Sequence, residues 1–185
     1  MIKEVLAETE DRMKKSAEAL QADLRALRTG RASPALVERL RVEYYGTSTQ
    51  LIELASISAP EPQLLTIRPW DMSALKDIER AILQSDLGLT PANDGKQIRL
   101  LIPSLTEERR RELTKVVTRR VEEARVAVRN CRRDALEDLR ELEKEKMISE
   151  DDFYVGKEDL QKLTDRYIEM VDHIGQAKEK EIMEI

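Results

Sequence analysis

The sequence predicts an α+β chain of two domains: a long three-helix bundle with a small α+β unit inserted into it. Three observations lead there. Charged residues make up 37% of the 185 and aromatics only 3%, a balance that suits long surface helices with aliphatic stripes better than a sheet sandwich. Helical spacing of apolar residues runs through residues 2–27 and returns at Thr106. Between them, residues 36–103 break into short runs bounded by Gly, Pro, Asn and Asp.

In the first segment Ile2, Val5, Leu6, Thr9, Met13, Ala17, Leu20, Leu24 and Leu27 recur at steps of three and four, so residues 2–27 read as one amphipathic helix. Gly30 is a candidate C-cap, with Arg25 and Arg28 in a last turn that favours cations. Ser33 and Pro34 then suit a cap and a first helical position. Next, "LRVEYYG", "TQLIELASISA", "QLLTIRPW" and "KQIRLLIP" read as strands. "MSALKDIERAILQSDLGL" is a helix with Leu75, Ile78, Ile82 and Leu83 on one side, and "TPANDGK" a loop.

The second helical stretch opens with Thr106 as a cap, Ser104 and Glu107 standing at capping-box spacing. Leu113, Val117, Val121, Ala124, Val128, Cys131, Ala135, Leu139 and Leu142 follow at a mean step near 3.6, without a strict heptad. A helix from there to about Met147 would be roughly 60 Å long at about 1.5 Å per residue. Ser149 with "EDD" starts a last helix, whose Leu160, Leu163, Tyr167, Met170, Ile174, Ala177 and Ile182 mark one face. None of these stripes can be buried alone. Residues 1–29 with 106–185 are therefore expected to form the bundle and 31–104 the inserted domain. A hinge is expected near 30–31 and 103–105, at Gly30, Arg31, Pro103 and Ser104.

Charge is spread unevenly. The whole chain carries -5, yet residues 109–133 hold ten basic and three acidic side chains, and 148–185 hold five and eleven. On a wheel of about 100° per residue, Arg111, Lys115, Arg129, Arg133 and Arg140 fall within about 40° of one line, with Arg125 and Arg132 beside it. Glu122 is the main interruption of that stripe. Cys131 falls with the apolar residues instead, so a buried thiol explains it better than a low-pKa nucleophile held by its arginine neighbours. An arginine line on a helix is either a solvated face or a surface for phosphate, which guanidinium binds bidentately.

Little supports catalysis. The single histidine, His173, falls next to the core face of the last helix and reads as structural, and there is no His/Cys cluster or glycine-rich phosphate loop. The carboxylates of "EDD" suit a helix start, and "SDLGLTPANDG" lacks the alternating ligands of a calcium loop. Trp70 and the pair Tyr44–Tyr45 read as core or hairpin-turn residues rather than stacking platforms. No catalytic residue, metal or cofactor is expected. No apolar run approaches the roughly 20 residues of a membrane span. The charged N-terminus is unlike a signal peptide and the lone cysteine fits a reducing compartment, so a cytoplasmic protein is expected; a monomer is expected as well.

The blocks "LRTGRASPALVERLRVEYYG", "AILQSDLGLTPANDGKQIRLLIPSLTEERRREL" and "VAVRNCRRDAL", in this order and over nearly the whole chain, resemble the bacterial ribosome recycling factors. The resemblance implies an L-shaped molecule of transfer-RNA outline, a three-helix bundle and a β/α/β domain joined by a flexible elbow. It implies binding to the post-termination ribosome along large-subunit ribosomal RNA, with elongation factor G and GTP driving the subunits apart. The factor is then not itself the GTPase. Arg129, Arg132 and Arg133 carry over as RNA contacts, and Arg28 and Arg31 of "RTGR" less directly, since Arg31 also suits the elbow. Two other readings of the residues stay open. One is a helical adaptor or chaperone-like protein gripping acidic protein partners through the same stripe; the other is a hydrolase resting on Asp151, Asp152 or His173.

Overall fold

Apolar spacing at the N-terminus folds as helix α1, Ile2–Arg25, burying Thr9, Met13, Ala17, Leu20 and Leu24. The computed structural model describes residues 1–184; Ile185, the last residue of the expected bundle, lies outside the described residues. Gly30 is not the C-cap of α1. The helix ends at Arg25, where the Ala26 and Leu27 amides donate to the Ala22 and Leu24 carbonyls. Gly30 stands farther on, at φ +77°, with Leu105 against the position its missing Cβ would take. Pro34 does open a 3-10 turn, Pro34–Leu36, but the Ser33 hydroxyl makes no cap bond.

The chain divides into two compact units, Arg28–Glu107 and Met1–Leu27 with Glu108–Ile185. In the first, strands β1 (Arg41–Tyr44) and β2 (Thr47–Gln50) form an antiparallel hairpin. A second, four-stranded antiparallel sheet has the order β3 (Ala55–Glu61), β4 (Leu64–Pro69), β6 (Ile98–Leu101), β5 (Pro91–Asn93). "TQLIELASISA" is therefore not one strand. A helical turn, α2 (Leu51–Leu54), splits it, because the Leu51 and Ile52 amides donate to the Leu40 and Glu38 carbonyls and draw the chain off the hairpin ladder. "TPANDGK" is not wholly loop either. Pro91 heads an edge strand, where its missing N–H costs nothing, and Asn93 and Asp94 then bind the Gly95 and Lys96 amides to turn the chain.

The helix expected over 72–89 is shorter, a 3-10 turn at Met72–Ala74 and α3 at Leu75–Gln84. Leu75, Ile78 and Ile82 enter a core with Leu65, Ile67, Ile98 and Leu100, while Leu83 is exposed. Trp70 departs from expectation, being 68% exposed; Tyr45, 79% exposed, stands in the turn of the β1–β2 hairpin at φ +49°, and Tyr44 is anchored by its hydroxyl, which donates to Asp71 at 2.5 Å.

The helical unit is completed by α4 (Glu107–Lys144) and α5 (Glu150–Met183). Every residue of the α4 stripe from Leu113 to Leu139 is buried, Cys131 included. The helix stops before Met147 because Lys146 takes φ +59° and the Met147 amide turns back to the Leu142 carbonyl. Ser149 and Asp152 then make a full capping box at the start of α5. The buried face of α5 is rotated from the one its apolar residues suggest. It runs through Leu160, Thr164, Tyr167, Val171, Gly175, Lys178 and Ile182, leaving Met170 42% exposed and Ala177 outside the core. Small or internally satisfied residues take the closest approaches: the Thr164 hydroxyl donates to the Leu160 carbonyl, and Lys178 pairs with Glu181. His173 consequently lies in solvent, its side chain 71% exposed, and is not a core residue.

Candidate nucleic-acid interface

Because α4 commits one stripe to the core, its charged residues must share the remaining surface, and their partners sort them into three kinds. Arg125 is the most tightly held. Its Nε and Nη2 lie 2.7 and 2.6 Å from Asp172 Oδ1 on α5, and its Nη1 lies 3.0 Å from Glu122 Oε2. Both side chains of the cross-helix pair are only a third exposed, and the hydrogen bonds to Asp172 first and Glu122 second raise the guanidinium pKa above its ordinary value. Its charge is largely neutralised in place.

Arg132 and Arg129 are held less completely. Arg132 donates through Nη1 to Gln161 Oε1 on α5 at 3.2 Å, and Gln161 is itself steadied by donating to Asp165 at 2.8 Å. An amide partner orients the guanidinium and leaves its charge uncompensated, so Arg132 is aimed but not neutralised. Among the described residues Arg129 makes one polar contact, Nη1 to Glu122 Oε1 at 3.4 Å.

Lys115, Arg133 and Arg140 form the third kind. They are exposed and have no hydrogen-bond or ion-pair partner among the described residues. Twenty-five residues separate the first from the last, about 38 Å along the helix at about 1.5 Å per residue. Arg111 is exposed near the N-terminal end of the same line. Such a row of uncompensated cations is a positive face along one side of the helix, of the kind that can meet a polyanion.

Arg28 belongs to the other compact unit, where its Nη1 donates to the Leu87 carbonyl at 2.5 Å and its Nη2 to that of Asp86 at 3.5 Å. The expected hinge residues also meet there. Gly30 packs against Leu105, the Ala32 amide donates to the Pro62 carbonyl at 2.6 Å, and the Ile102 amide to that of Gln63 at 2.8 Å. Ser104 accepts from the Gln63 side chain at 2.5 Å, with Pro103 and Arg31 exposed beside these segments. Among the described residues no three His, Cys, Asp or Glu side chains gather as a metal site would require, and no helix is long and apolar enough to cross a membrane.

Gln161 and Asp172 are the residues of this site that the sequence did not reveal. The wheel of α4 shows Glu122 on the basic line, but only the opposed face of α5 reveals that Asp172 neutralises Arg125 and Gln161 aims Arg132.

Comparison with known proteins converges on one family. The family model for ribosome recycling factor matches residues 20–183. Ribosome-recycling factors of Roseiflexus castenholzii and Syntrophomonas wolfei are 59% and 58% identical to the chain over 185 residues, each matched over its full length. A solution structure of the ribosome recycling factor superposes with a TM-score of 0.79 at 45% identity, covering 100% of this chain and 98% of that one. A second structure, of models for the T. thermophilus ribosome recycling factor and the E. coli elongation factor G bound to the E. coli post-termination complex, gives 0.69 at 47% identity, with full coverage of both chains. The matches span the helical stripe, the inserted sheet and the basic face alike, and the chain belongs to the ribosome recycling factor family.

Proposed function

We propose that the chain binds the post-termination ribosome through the basic face of α4, held against large-subunit ribosomal RNA. Elongation factor G, hydrolysing GTP, then drives the subunits apart. The similarity to a factor placed with elongation factor G on that complex supports the partners. The observation that carries the RNA contact is the row Lys115, Arg133 and Arg140, exposed cations without a protein partner among the described residues, on a helix face where Arg125, Arg129 and Arg132 are held by neighbours. Recognition is by charge and backbone shape, with little base readout, as suits folded RNA. Arg132, oriented and not neutralised, and Arg111 extend the row; Arg125 and Arg129 stand behind it, and Arg28 braces its own unit.

In this reading the protein is a non-catalytic cytoplasmic monomer, and the nucleotide chemistry belongs to its partner. The segments at Gly30–Arg31 and Pro103–Ser104 serve as the hinge through which one unit is pushed while the other stays anchored. A disulfide locking the two units should leave ribosome binding intact and stop subunit dissociation; dissociation at the normal rate would refute the hinge.

For the RNA contact the test is binding to large ribosomal subunits across a salt series, for wild type, Arg132→Ala and Arg133→Ala. Each lost phosphate contact flattens the slope of log affinity against log salt by roughly one unit. Unchanged affinity and slope in folded variants would make α4 a solvated face.

A further inference from the structure

One acid sits where the basic face least needs it. Glu122 lies on the same side of α4 as Lys115, Arg133 and Arg140, within about 20° of the Arg129 line at about 100° per residue. Its two oxygens are divided: Oε2 accepts from Arg125 at 3.0 Å and Oε1 from Arg129 at 3.4 Å. The two arginines differ in what else holds them. Arg125 has Asp172 on α5, whereas Glu122 is the sole partner of Arg129 among the described residues. A carboxylate with two oxygens facing two guanidinium groups has the charge and shape of a phosphodiester's non-bridging oxygens. We infer that Glu122 is an internal stand-in for phosphate, occupying Arg129 until RNA displaces it and so limiting how tightly the α4 face holds its target.

The inference rests on the RNA reading above. Removal of Glu122 from its post frees Arg129 alone, because Asp172 keeps Arg125 on the bundle. The exchange is easy, since Glu122 and Arg129 are each about half exposed and such pairs are screened and weak. A factor that must leave the ribosome after each cycle gains from this. The displaced carboxylate competes for Arg129 throughout the bound state and speeds release.

The test is Glu122→Gln, which keeps size and hydrogen-bonding capacity and removes the charge. Its binding to purified large ribosomal subunits is compared with wild type by stopped-flow association and dissociation. The inference expects two- to five-fold tighter binding, about the worth of one exposed ion pair, expressed mainly as slower dissociation. The gain must vanish in an Arg129→Gln background. Glu123→Gln, which removes a neighbouring acid paired with Arg120 instead, must not reproduce it. Unchanged or weaker binding by Glu122→Gln would mean that the residue only steadies Arg125. Equal gains from Glu123→Gln, or a gain that survives loss of Arg129, would mean a general field effect; each result overturns the inference. Arg133→Ala in the same series separates the two levels. If it weakens binding while Glu122→Gln changes nothing, the inference alone fails; if neither alters binding, the RNA reading falls and takes the inference with it.

Discussion

Gly175, in the C-terminal half of α5, packs directly against Val121 of α4. A Cβ built there would lie 2.4 Å from Cγ2 of Val121 and 3.7 Å from its Cβ and Cγ1. Val121 is buried, and a valine in a helix has one strongly preferred χ1 well, so the methyl cannot swing clear cheaply. Gly175→Ala therefore sets two effects against each other. Alanine in a helix interior gains about 1 kcal/mol over glycine. Forcing a methyl into a closed contact costs about 1–3 kcal/mol. The contact wins, and the variant should lose about 1 kcal/mol net, a fall of roughly 2–4 °C in Tm for a chain of this size. Val121→Ala should cost about 2 kcal/mol by itself, as two buried methyl groups are lost. In the double variant the new methyl occupies the space Val121 leaves, so it should be more stable than the sum of the singles by about 1–2 kcal/mol. Urea and thermal unfolding followed by circular dichroism measure all four corners of the cycle. Stabilisation by Gly175→Ala, or strict additivity, would refute the close approach.

Tyr44 ionises late, at a pKa pushed up to about 12, because its hydroxyl donates to the Asp71 carboxylate. In a tyrosinate absorbance titration it should be the last tyrosine to ionise, and Asp71→Asn should return it toward about 10. The raised pKa means that this stabilisation is complete below about pH 10 and is lost as pH rises through about 12. The same bond, followed by the Ser73 amide, lowers the pKa of Asp71, whose contribution is present above about pH 4 and lost as pH falls through its depressed folded value. Ser149→Ala removes the acceptor for the Asp152 amide and should cost about 1 kcal/mol of bundle stability in a urea melt. Gly30→Ala meets both a positive φ of 77° and Leu105 Cγ at 3.1 Å, so it should destabilise Arg28–Glu107 by more than about 1 kcal/mol, read as a shift in its unfolding midpoint.

What was legible in the sequence follows from what is local. The α4 stripe was readable because one face of a long helix is decided by its own periodicity, and every residue from Leu113 to Leu139 in it is buried. The start of α5 was readable because Ser149 and Asp152 satisfy each other within four residues. β5 was not, since Pro91–Asn93 becomes a strand only through its ladder with Ile98–Leu100. The core face of α5 was misread because apolarity alone picked Met170 and Ala177, whereas the bundle presses on Thr164, Gly175 and Lys178, which tolerate close contact for reasons of size and local bonding. The basic row was legible as a row. Its sorting into neutralised, aimed and unpartnered cations was not, because that depends on Asp172 and Gln161 coming from another helix.

Each pair of helices in the bundle is joined by a guanidinium–carboxylate contact: Arg12 with Asp134 between α1 and α4, Arg166 with Glu10 between α1 and α5, and Arg125 with Asp172 between α4 and α5. Exposed pairs of this kind add little stability. Aliphatic stripes, however, grip almost as well after one helix slides a turn along its neighbour, about 5.4 Å. Three charge contacts closing a triangle work as a key, because sliding any one helix breaks two of them at once. What this key holds constant is the register between helices, and with it which residue of α5 faces each cation of α4: Asp172 stays opposite Arg125 and Gln161 opposite Arg132.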